Sequence, residues 1–125
     1  MWTPHETVER IANHSLLSAP TFEGLDWEAV LEARDDSFDD DWIRAAEAVQ
    51  AVWEEAPDIS NHNQAINAVR EAAFKRTFQA SGGNHDLAAS ISDDFEIICK
   101  RAVLGLECPF ITELQKAYDA QQIPH

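Results

Sequence analysis

Residues Asp35–Ala56 read DDSFDDDWIRAAEAVQAVWEEA. Phe38, Trp42, Ala45, Ala46, Val49, Val52 and Trp53 recur every three to four positions, the period of one α-helical face. Ser37 followed three residues later by Asp40 reads as a capping box, and Asp39–Asp41 fall in the first turn, where the positive end of the helix favours carboxylates. Pro57 closes the segment, because proline cannot continue a helix.

The same period extends in both directions. Thr3-Pro4-His5-Glu6 carries a cap, a first-position proline and a reciprocal Glu, and Val8, Ile11, Ala12 and Leu16 follow on one face, predicting a helix to about Leu17. Ser18-Ala19-Pro20 reads as its end. Asp26 caps a short helix through Trp27, Val30 and Leu31 that ends near Arg34. A helix starting at Ser60–Asn63 buries Ile66, Val69, Ala73, Phe74 and Phe78 and stops at Ser81-Gly82-Gly83. Asn84 or Ser90 caps another, with Leu87, Ile91, Phe95, Ile98 and Ala102 inward and Gly105 as its end. Pro109 opens the last, and Gln121–His125 is read as a frayed tail.

No stretch alternates with the period of a strand, and the tryptophan spacings show no internal repeat. The fold class expected is all-α: a single compact acidic helical domain spanning residues 1–125, built from five or six mostly antiparallel helices. At 125 residues and 45% apolar composition the chain is long enough for one core and too apolar for disorder. No apolar run reaches the length of a membrane span, and no leader-like pattern opens the chain. Cys99 and Cys108 match no metal or redox spacing, so two free thiols in the cytoplasm are expected.

Charge is distributed unevenly. Glu23–Asp58 holds 13 of the 23 acidic residues against two arginines, a formal −11 within a total of −14. Such a surface repels nucleic acid and anionic membrane and attracts basic partners. Three classes of function fit the chain. The leading one is a non-enzymatic protein-binding module, an inhibitor or immunity protein neutralising a basic enzyme such as a nuclease. Its contact residues would be Asp35, Asp36, Asp39, Asp40 and Asp41 at the rim, with Phe38 or Trp42 as anchor, since rim charges speed association and aromatics supply affinity. The second is a small metal-dependent phosphohydrolase using His62, His85 and Asp86, with Asp94 or Asp119 as a further ligand; against it, Asp94 reads as solvated. The third is a homo-oligomeric subunit, a homodimer for instance, with Trp2, Phe22 and Trp27 exposed as a patch.

Other chemistry lacks its residues. Counting a calcium loop from Asp35 leaves Asp40 where glycine is needed and Ala46 where the closing glutamate belongs. Glu6 and Glu9 have no Glu-x-x-His to complete a di-metal bundle. Cys99 lies beside the apolar stripe and reads as packing. No cofactor and no metal site is expected.

Overall fold

The computed structural model describes residues 2–56 and 60–125. They form seven helices: α1 (Pro4–Ala12), α2 (Ala19–Phe22), α3 (Trp27–Ala33), α4 (Ser37–Glu55), α5 (Ser60–Ala80), α6 (His85–Leu104) and α7 (Pro109–Asp119). No strand occurs among the described residues. The chain is all-α and makes one compact domain, but with seven helices instead of five or six.

The additional helix is α2, at the segment expected to act as a breaker. Pro20 stands in its first turn, where the missing N–H loses no helical hydrogen bond. The first helix also stops earlier than its periodicity implies, at Ala12. His14 and Leu17 take left-handed backbone angles (φ 65° and 51°) although neither is glycine. Complete burial of Leu16 and Leu17 offsets that strain, and Arg76 of α5 donates to the Leu17 carbonyl at 2.7 Å.

Elsewhere local chemistry sets the ends. Thr3 accepts from the Glu6 amide at 3.3 Å, Asp26 from those of Glu28 and Ala29, and Asn84, not Ser90, from that of Leu87 at 3.0 Å. Gly105 closes α6 in the left-handed conformation at φ 67°. The capping box at Ser37 does not form. Asp36 is the N-cap of α4, with φ 58° and no side-chain cap bond, and Ser37 is already helical. The expected stop at Pro57 lies outside the described residues.

α6 is the central element. Leu87, Ala88, Ile91, Phe95, Ile98 and Cys99 are entirely buried along it. Phe74 meets His85, and Arg70 meets Asp93 and Glu96, so α5 and α6 run antiparallel. Phe95 meets Tyr118 while Arg101 meets Thr112 and Gln115, so α7 runs back along α6. Trp42 reaches Asp94 and Gln50 reaches Lys100, which makes α4, two helices upstream, parallel to α6.

Three expectations about burial fail. Trp2 and Phe22 belong to the core, and Trp27 packs edge-on against Phe22 at 6.2 Å, so they form no exposed patch. Phe78 and Val52, assigned to buried stripes, are about two-fifths exposed (41% and 40%). The C-terminal segment is not frayed. Ile123 and Pro124 are buried, and Gln121 bonds to Ser18, Thr21 and the Ser15 carbonyl.

Candidate functional site

The acidic segment is fastened to the core by a buried carboxylate that the sequence places in solvent. Asp94, on the inward face of α6, has no exposed surface. An ionised carboxylate there is tolerable only if its oxygens are filled by donors. Arg34 Nη2 donates to Oδ1 at 2.7 Å, Trp42 Nε1 to the same oxygen at 2.9 Å, and the Tyr118 hydroxyl to Oδ2 at 2.6 Å. Arg34 Nη1 donates to the Pro124 carbonyl at 2.8 Å. One guanidinium thus ties the end of α3 to α6 and to the C-terminal segment.

The electrostatics follow from burial and pairing. Burial is the largest single influence on Arg34 and opposes its charged form, but Asp94 and Tyr118 together outweigh it and the guanidinium pKa is raised. Tyr118 is held well above its ordinary value, first by burial and then by the negative charge of Asp94, with Arg34 opposing. Arg34 is therefore a guanidinium and Tyr118 a neutral phenol, and both donate to Asp94.

The aromatic residues of the acidic segment are half-buried. The Arg34 guanidinium lies over the Phe38 ring, 4.6 Å from its centroid, and Phe110 of α7 meets the same ring at 5.4 Å. Trp42 has its N–H committed to Asp94. Both have core-facing contacts and also line a surface cleft.

That cleft, of about 370 Å³, lies between the α3–α4 turn and the N-terminal half of α6. Phe38, Asp39 and Trp42 line one wall, and Asp86, Ser90 and Asp93, spaced along one stripe of α6, line the other. Leu31 and Arg34 close the α3 end, beside Glu32 and Asp35. Asp36, Asp40 and Asp41 are exposed but lie outside the cleft; Asp41 pairs with Arg44 at 2.9 Å. Asp35, Asp36, Asp39 and Asp40 make no ion pair among the described residues. Asp93 pairs with Arg70 at 3.1 Å, yet its carboxyl pKa is raised, by burial foremost, with Glu96 and Asp94 adding to it and Arg70 opposing.

The metal reading does not survive the geometry. His85 sits at the turn between α5 and α6 against Phe74, whereas His62 stands at the far end of α5 against Trp53. The twelve-residue step from His62 to Phe74 spans about 18 Å at helical rise, beyond any shared ion. Asp94 is consumed by its three donors, and Asp119 pairs with Arg10 at 3.1 Å. Among the described residues no group of three or more His, Cys, Asp or Glu side chains is arranged to hold a metal ion. Cys99 is buried against Thr7, and burial pushes its thiol up to about 11, the opposite of an activated nucleophile.

A family profile described as immunity protein PIM1 matches residues 6–125. The chain belongs to the immunity protein PIM1 family. No curated protein matches it. As a member of that family it is a non-enzymatic module that acts by binding another protein, and every residue of the cleft lies within the matched span. A rigid, prearranged surface limits the ordering entropy that a protein loses on association. The Arg34–Asp94–Trp42–Tyr118 network supplies that rigidity at the acidic segment. Sequence reasoning misses Arg34, Asp94 and Tyr118 as a unit, and Asp93 as a cleft residue. The one signal for them is Arg34 itself, one of only two cations in a stretch of thirteen acids.

Proposed function

We propose that this immunity protein neutralises a basic protein, an enzyme such as a nuclease, by covering its active face with the acidic surface of α3 and α4. Asp35, Asp36, Asp39, Asp40 and Asp41 would form the charged contact, with the accessible edges of Phe38 and Trp42 supplying apolar area. The observation that carries this reading is that four of those five aspartates make no ion pair among the described residues, on the most acidic surface of a chain at −14. An enzyme that acts on a polyanion has a cationic active face, and a rigid anionic surface matches it in charge. The same charge disfavours direct nucleic-acid binding. Among the described residues no helix is long and apolar enough to cross a membrane. Action in the cytoplasm is part of the proposal, supported by two free cysteines.

The test is co-purification from the native cell with the tagged protein and with a variant carrying serine at all five aspartates. The expected result is a basic protein retained by the first and lost by the second at low salt. Equal retention of one basic partner by both would overturn the assignment of the contact surface.

A further inference from the structure

We propose that the cleft between the α3–α4 turn and α6 is the specificity pocket of the binding face, and that it takes a single arginine or lysine side chain of the partner. This rests on the reading above and narrows it from an acidic surface to one concave place. The cleft combines two properties that a solvated charge run lacks. Leu31, Phe38 and Trp42 give it apolar walls, which suit the alkyl stem of a long basic side chain. Asp35, Asp39 and Asp86 approach from both sides, so a cationic head between them meets carboxylates from the α3–α4 turn, α4 and α6. Its volume of about 370 Å³ accommodates one such side chain with water.

Charge complementarity selects the occupant. Arg34, the one cation lining the cleft, is turned to Asp94 and to the Pro124 carbonyl and is 9% exposed, so it does not neutralise the cleft carboxylates. Asp93, half-buried on the α6 wall, has its carboxyl pKa raised, by burial foremost, although Arg70 faces it, a cost that a cation placed beside it relieves. An anionic or wholly apolar occupant would bury these carboxylates without compensation. Asp36, Asp40 and Asp41 lie outside the cleft and belong to the charged contact around it.

Two variants with equal change of charge separate the cleft from the surface around it: Asp35→Asn/Asp39→Asn/Asp86→Asn inside, and Asp36→Asn/Asp40→Asn/Asp41→Asn outside. The probe is an acetylated, amidated tri-arginine peptide, with tri-citrulline as the uncharged control, at low salt. The readout is the NMR signal of the indole N–H of Trp42, whose side chain lines the cleft while its N–H is held by Asp94. A saturable shift is expected with the wild type. The cleft variant should lose about tenfold or more in affinity and the outer variant less than about threefold. Loss in the outer variant equal to or greater than that in the cleft variant overturns the pocket and leaves the acidic-surface reading standing. Wild-type affinity in both variants overturns the pocket and the acidic-surface reading together. Absence of any shift in the wild type, or an equal shift with tri-citrulline, overturns the pocket and leaves the co-purification test to decide the wider reading. Circular dichroism reports whether each variant keeps its helices. If the cleft triple variant unfolds, the doubles Asp35→Asn/Asp86→Asn and Asp36→Asn/Asp41→Asn replace the two triples and are read in the same way.

Discussion

Arg34 and Asp94 form the most deeply buried ion pair among the described residues, at 2.7 Å, although 60 positions separate them in the chain. Their contact places the end of α3 against the middle of α6, and with it the direction in which the acidic segment faces.

Removing one partner of this pair strands the other. Arg34→Met is expected to destabilise the protein by about 3–5 kcal/mol, because it leaves Asp94 buried without its cation. The double variant Arg34→Met/Asp94→Leu should lose markedly less than the sum of the two single changes. Urea unfolding of the four proteins measures the coupling. Additive losses would show that the pair contributes no interaction of its own.

Tyr118→Phe removes the donor to Asp94 Oδ2 without changing the ring. A loss of about 1.5–3 kcal/mol is expected, the scale of a hydrogen bond to a charged acceptor. It should also change the response to alkali. Tyr118 has a folded-state pKa well above its ordinary value of 10.0, so above about pH 10 the unfolded chain releases this proton while the native chain retains it. Stability is therefore full below that pH and falls as pH rises past it. The phenylalanine variant should show a shallower decline, measurable by thermal unfolding between about pH 9 and 11.

Asp93 is expected to be kept at some expense of stability. Its folded pKa is raised above the ordinary 3.8, so its contribution is most favourable below that value and is lost as pH rises through the folded pKa. Asp93→Asn should thus leave the melting temperature at pH 7 unchanged or higher, while Glu96 continues to hold Arg70 at 3.0 Å. The gain should vanish at about pH 3, where the wild-type carboxyl is protonated. A lower melting temperature at neutral pH for the variant would contradict this account.

The two cysteines should be distinguishable by thiol titration at about pH 8. Cys99 is fully buried with a pKa of about 11 and is expected to react only after unfolding. Cys108, partly exposed at the start of α7, should react in the native protein. Rapid modification of both in the native state would show that the α1–α6 contact opens readily.

Part of the site is legible in the amino-acid sequence. The acidic rim residues are all exposed, as charge density implies, and Asp35 and Asp39 line the cleft. Whether Phe38 belongs to the core or the surface has no answer in periodicity, because a half-buried position satisfies both. Arg34 and Phe110 take part of its ring, and the remaining edge borders the cleft. Asp94 reads wrongly as solvated because a sequence pattern weighs a carboxylate by its hydration and does not contain the donors supplied from positions 34, 42 and 118. The same holds for the C-terminal segment, where Gln121 and Pro124 are held by side chains about 90 residues or more upstream.

By itself the sequence determined the helical class and most helix ends, since caps, first-turn prolines, the terminal glycine and a 3.6-residue period act within a few residues of each other. It also determined the charge of the acidic segment. Tertiary structure decided what those local rules do not contain: that α1 stops early so Leu16 and Leu17 can be buried, and that one aspartate turns inward. It also decided that Asp86 and Asp93 from α6 join Asp35 and Asp39 across a cleft. Each of these depends on free energy shared between distant segments, by burial or by a charge finding its partner, and such terms have no signature in the spacing of neighbouring residues.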